Sequence, residues 1–161
     1  MTFKNIILFL VISFLFSACA SQVYMRQHAA FIMFKTPAFK YADMGFVYEN
    51  DDTIKTEIYS SGQALMALDI SHRSVCFSLL ECMDRRSFNQ KVLSAFYPED
   101  TLENIFRGRV LFGGLGVEKN HNGFTQKITK TDQYDIDYSV LNQQIRFHDT
   151  INNITIQVRK Q

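Results

Sequence analysis

Along most of the chain, apolar residues return at every second position, the signature of strands with one buried face. Ile54, Thr56 and Ile58 share one side of a strand, and Ser60-Ser61-Gly62-Gln63 reads as a hairpin turn. Ala64, Met66, Leu68 and Ile70 then resume the alternation. Tyr41 to Tyr48, interrupted by Gly45, forms the strand before, and Ser71-His72-Arg73-Ser74 turns the chain into Val75 to Leu80. Between these strands and the C-terminal part the period changes. Phe88, Val92, Ala95 and Phe96 fall at helical spacing, with Asp84 or Ser87 placed to cap. Pro98 opens a second helix whose apolar face is Leu102, Ile105 and Phe106, with Glu99, Asp100 and Glu103 near its positive end and Gly108 as its stop. After the glycine-rich stretch Gly113 to Gly123 the period returns to two. Phe124, Gln126 and Ile128 share a face, as do Tyr134, Ile136, Tyr138 and Val140, then Ile145 and Phe147, then Ile154, Ile156 and Val158. The pattern predicts a mainly β, α+β domain: a strongly curved antiparallel sheet, an incomplete barrel, with two short helices covering its apolar mouth.

The first residues follow a different logic. Lys4 precedes an apolar stretch from Ile6 to Phe16, too short for the ~20 residues of a membrane-spanning helix but suited to a secretory leader. Small residues follow, and Phe16-Ser17-Ala18-Cys19 resembles a bacterial lipobox, in which the cysteine is acylated and becomes the mature N-terminus. The resemblance implies a leader over 1–18, lipidation of Cys19, a tether over 19–36 and a folded domain over 37–161. Within that tether, Ala29 to Phe34 is a candidate first strand. The alternative is a plain secretory signal beside an incidental cysteine. In lipoproteins of this kind an Asp after the cysteine favours inner-membrane retention. Ala20 therefore points to the outer membrane, with the domain facing the periplasm.

Composition narrows the chemistry. Of 161 residues, 17 are basic and 16 acidic, and cleavage removes Lys4, so the mature chain is neutral. Neither a nucleic-acid surface nor a polybasic grip on lipid headgroups is expected. The four histidines, His28, His72, His121 and His148, lack metal-ligand spacing. No G-x-S-x-G or phosphate-binding glycine motif occurs, so neither catalysis nor a cofactor is expected. The acidic residues Asp132, Asp135 and Asp137 read as a solvated strand face. Cys76 and Cys82 are six residues apart. On one continuous strand they could not meet, so they are either two buried thiols or the ends of a bridged turn within Phe77 to Glu81.

With Phe at 15 positions, Met at 6 and no Trp, the chain has an apolar excess that is either core or a cavity for an acyl chain. The candidates for lining such a cavity are Met66, Leu68, Phe88, Val92, Phe96, Leu102, Ile105 and Phe106. The order of elements, with Ile58-Tyr59-Ser60-Ser61-Gly62, Leu102 to Gly108, Tyr134 to Tyr138 and Ile154 to Val158, resembles the LolA/LolB half-barrel family of lipoprotein carriers and receptors. Members of that family carry Trp where this chain has none, and a Leu beside the glycine where Ser61 precedes Gly62. The resemblance implies a monomeric, membrane-anchored lipoprotein that binds lipid or the acyl chains of other lipoproteins. The competing expectation is a structural or assembly lipoprotein of an envelope complex, with a dry core.

Overall fold

A computed structural model describes residues 26–78 and 81–161; the leader and Cys19 lie outside the described residues. The chain begins with six strands, β1 Arg26–Lys35, β2 Lys40–Glu49, β3 Thr53–Ser60, β4 Gln63–Ser71, β5 Ser74–Phe77 and β6 Glu81–Asp84. Two helices follow, α1 Arg85–Val92 and α2 Thr101–Arg107, and then a single 3-10 turn at Phe112–Gly114. Five strands complete the chain: β7 Val117–Asn120, β8 Gly123–Lys130, β9 Tyr134–Leu141, β10 Gln144–Asp149 and β11 Ile154–Lys160. All eleven form one antiparallel sheet in the order β6-β5-β4-β3-β2-β1-β11-β10-β9-β8-β7. It curls without closing, as an incomplete barrel does.

Two meanders therefore meet at a single long-range seam. β1 pairs with β11 from Ala30 opposite Lys160 to Lys35 opposite Thr155, and with β2 along its whole length. Here the structure corrects the expected domain boundary. Arg26–Lys35 is not tether but a strand near the middle of the sheet, and the domain starts at or before Arg26. Its own alternation explains this: Ala30, Ile32 and Phe34 are fully buried on the inner face, while the residues between them are half exposed. The helices form the connection between the two outermost strands, β6 and β7, so the chain must carry them from one edge of the curl to the other.

The inner face is mainly apolar, with Thr56, Glu49 and Gln126 among the buried polar residues in its strands' alternation. Val47, Ile54, Ile58, Met66, Leu68 and Ile70 come from the first meander, and Ile128, Ile136, Tyr138, Ile145, Phe147, Ile154, Ile156 and Val158 from the second. Each fully buried side chain of this size contributes roughly 1.5–3 kcal/mol through removal from water. Gly45 sits on this face because nothing larger fits: a Cβ there would lie 1.9 Å from the Glu57 carbonyl oxygen.

The helix ends obey local chemistry. The Asp84 carboxylate accepts from the Ser87 amide at 2.9 Å and the Ser87 hydroxyl at 2.7 Å, capping α1. The helix stops sooner than the apolar spacing suggests. Leu93 leaves helical geometry at φ −112°, ψ −105°, so Ala95 and Phe96 fall beyond its end. α2 stops at Gly108, whose φ of 65° is a left-handed cap; the Arg109 amide then donates to the Asn104 carbonyl at 2.8 Å.

Candidate functional site

Six of the residues expected to line a cavity do come together. Met66 and Leu68 of β4, Phe88 of α1, and Leu102, Ile105 and Phe106 of α2 all belong to one continuous core, with 0–3% of their surface accessible. Val92 is half-buried against the same core. Phe96 is not part of it: it is 53% exposed, because α1 ends at Val92 and the chain turns before reaching it. The Phe106 ring stacks on Phe34 with centroids 6.4 Å apart, and Phe34 stacks on Phe39 at 5.3 Å, so α2 is seated directly on β1. As packed, side chains this deeply buried present no surface on which an acyl chain could lie among the described residues.

The polar groups inside this shell tie the helices to the sheet. Glu103 of α2 is buried and accepts from Arg107 Nε at 2.8 Å and from Arg85 of α1. Arg107 also donates to the carbonyls of Asn50 and Asp51 at 2.8 and 3.1 Å, so one ion triad joins both helices to the β2–β3 loop. Burial alone would raise the Glu103 carboxyl; hydrogen bonds from Arg107 and Arg85 outweigh it and hold the group below the ordinary carboxylate range.

At the other end of the curl, Asp149 is fully buried. It accepts from the Tyr97 hydroxyl, from the amides of Asp135, Ile151 and Asn152, and from the Asn152 side chain at 2.7 Å. Burial and the Asp149 hydrogen bond push the Tyr97 hydroxyl far above its usual range, so it remains a donor. Five donors on one carboxylate are enough to account for the burial of this aspartate on structural grounds.

The glycine-rich stretch also acquires a structural account. The Gln126 side chain of β8, itself buried, accepts from the Leu111 amide at 2.8 Å and donates to the carbonyls of Leu111 and Leu115 at 3.1 and 2.9 Å. Gly116 passes so close to β8, with a positive φ of 66°, that a Cβ would lie 2.5 Å from the Lys127 carbonyl oxygen. The stretch is the strap that returns the chain from α2 to the far edge, where β7 pairs with β8.

Cys76 and Cys82 form a disulfide, which resolves the two expectations in favour of the bridged turn. β5 and β6 pair with Phe77 opposite Glu81 and Cys76 opposite Cys82, so the reversal falls within the segment where a bridge required it. The histidines stay apart. His72 lies 3.5 Å from Asp52 at the surface, and His148 Nδ1 is 3.0 Å from the Thr155 hydroxyl. No group of three His, Cys, Asp or Glu among the described residues is arranged to hold a metal ion. Asp135 and Asp137 clasp Lys127 at 2.7 and 3.0 Å on the outer face, the solvated strand surface the alternation predicts.

The clefts of the exterior are lined by other residues. One of about 240 Å³ lies over β8 and β9 between Glu118, Thr125, Lys127, Asp137, Ser139 and Arg146. Another, open cleft borders the β8–β9 turn at Thr131, Asp132 and Ile151. None of the residues expected to line an acyl cavity borders either one. Among the described residues no helix is long and apolar enough to cross a membrane. No protein family matches this chain, and no curated protein sequence matches it either.

Proposed function

We propose that this chain is an outer-membrane lipoprotein, anchored through Cys19 and facing the periplasm, whose half-barrel domain acts as a structural or assembly module through its exterior. The observation that carries this reading is the buried core. Phe88, Leu102, Ile105 and Phe106, the side chains that would have to part for an acyl chain, expose at most 3% of their surface and belong to one buried cluster. The leader ending in Phe16-Ser17-Ala18-Cys19 supports the anchor. A disulfide in the domain fits an oxidising compartment. The buried carboxylates of Glu103 and Asp149 are occupied by structural donors, which supports a role other than catalysis.

The half-barrel with helices over its mouth is also the shape that the LolA/LolB resemblance implies. Acyl binding is therefore the outcome to test against. The full chain, extracted and then freed of detergent, is examined by native mass spectrometry and offered a fluorescent acyl probe; in parallel, a photo-crosslinker is placed on the exterior in intact cells. The assembly reading expects the mass of the lipidated chain alone, no saturable probe uptake, and a discrete crosslinked partner. Stoichiometric co-purifying lipid with saturable uptake would sink it in favour of a lipid or lipoprotein receptor.

A further inference from the structure

The inner face of the sheet accounts for only part of the aromatic content. A second apolar surface lies on the outer face of β1, β2 and β3, away from the helices. Phe31 of β1, Met44, Phe46 and Tyr48 of β2 and Tyr59 of β3 stand on it as neighbours. Phe46 lies 6.1 Å from the Tyr48 ring and edge-on to Tyr59 at 5.9 Å, while Phe31 faces Met44 across the strand pair. Met44 and Phe46 are 38% and 36% exposed, unusual for such side chains in the middle of a strand flanked on both sides. An ion pair stands among them: Glu57 of β3 lies opposite Phe46, and Lys55, opposite Tyr48, pairs with it at 2.7 Å. The Tyr59 hydroxyl donates to Glu57 at 2.8 Å, and the Arg159 guanidinium lies over Phe31 at 5.5 Å from the ring centroid. Tyrosine rings with an apolar body and a polar tip, beside a lysine and an arginine whose guanidinium covers an aromatic, are the chemistry of a membrane–water interface.

The attachment of the chain decides what covers this surface. The first described strand, which carries Phe31, starts at Arg26, and Phe46 and Tyr48 sit opposite Ala29 and Gln27, next to that end. Seven steps of chain separate Arg26 from Cys19 and span about 25 Å at most, even fully extended. An acylated Cys19 therefore holds this part of the sheet within one short tether of the bilayer at all times. A partner protein would have to displace a surface that is permanently at hand.

We infer that the outer face of β1–β3, centred on Phe46, lies against the headgroup region of the membrane in which Cys19 is anchored. The helices and the second meander then face the periplasm. This rests on the anchored reading above, and the test separates the two. The chain contains no Trp, so Phe46→Trp provides a single reporter, with Phe96→Trp, exposed beyond the end of α1, as the comparison. Each full-length, membrane-extracted variant is reconstituted into phosphatidylethanolamine–phosphatidylglycerol vesicles containing bromine-labelled phosphatidylcholine.

The expected result is a blue-shifted F46W emission, quenched several-fold more strongly by the brominated lipid than that of F96W. Tyr59→Trp repeats the measurement should F46W fail to fold. Partition of the same preparations into a detergent phase, with the mass of the N-terminal fragment, reports the anchor independently. An unmodified, water-partitioning chain would remove both readings. An anchored chain with equal quenching at the two positions overturns the orientation alone. An anchored chain that sediments as a dimer with F46W shielded from lipid assigns the face to a second copy instead.

Discussion

Glu103 shows how much can hang on one side chain. It sits in α2 within reach of two arginines, and both of those are themselves nearly enclosed, with 11% and 3% of the Arg85 and Arg107 side chains exposed. Removing the carboxylate strands two buried cations, and breaking a buried pair from one side costs about 3 kcal/mol. Glu103→Gln is therefore expected to lower the unfolding free energy by about that amount, read as a reduced urea midpoint at pH 7. The pH dependence follows from the sign of the shift. A carboxyl held below its ordinary value of 4.5 in the folded state stabilises the protein above that pH and loses its contribution as pH falls through the folded value. The wild-type chain should thus lose stability on going from pH 5 towards pH 3 more steeply than E103Q. Part of the slope survives in the variant, because Ser87 and Lys127 also hold Asp84 and Asp135 below the carboxylate range. Identical slopes for the two proteins would show that the triad is electrostatically idle. None of this was visible in the sequence beyond an acidic residue in a first helical turn. Arg85 and Glu103 are eighteen positions apart, and Asp149 and Tyr97 fifty-two, and no local pattern links such pairs.

At the scale of elements, legibility tracked the strength of the alternation. Strands β2, β3, β4 and β8 to β11 bury alternate residues over much of their length, and that alternation is legible in the sequence. β6 and β7 are four residues long with mostly exposed side chains, so neither gives a two-residue period against its surroundings. The position of β1 was hidden for a different reason. Its apolar run is plain, but pairing with β11 joins the two ends of the domain and leaves no mark in local sequence. α1 was read too long because Ala95 and Phe96 keep the helical spacing after the backbone has turned. The bridge between Cys76 and Cys82 belongs to this scale, since it fastens β6 to β5 at the outer edge of the sheet. Closing so short a loop restrains the unfolded chain by about 2 kcal/mol. The double variant Cys76→Ser, Cys82→Ser should lose roughly that much stability. Amide exchange should quicken first in β5 and β6, leaving β1, β10 and β11 protected. A loss of protection spread evenly over the sheet would mean that the hairpin is part of the cooperative core rather than its margin.

For the molecule as a whole, the question is whether the half-barrel is full or merely covered, and side-chain truncation answers it without reference to any ligand. In a filled core, deleting a side chain removes packed contacts and leaves a void that the surroundings cannot collapse. Phe→Ala then costs about 3–5 kcal/mol and Leu, Ile or Met→Ala about 2–5 kcal/mol. In a ligand cavity the same side chain faces empty or solvated space on one side, so its removal forfeits fewer contacts and enlarges an existing void. Phe88, Leu102, Ile105 and Phe106 are buried in the same core as Phe34, Met66 and Leu68, Phe106 stacks on Phe34, and the Glu103 triad holds both helices down. Phe88→Ala and Phe106→Ala should each therefore fall in the upper of those two ranges, and Leu102→Ala and Ile105→Ala in the lower, by equilibrium denaturation of the disulfide-intact protein. Phe96→Ala is the internal standard, since an exposed ring beyond the end of α1 should change stability by less than about 0.5 kcal/mol. Helix-face truncations that cost no more than the Phe96 standard would mean that the helices form a loose lid. The acyl-binding reading would then regain the space that a packed core denies it.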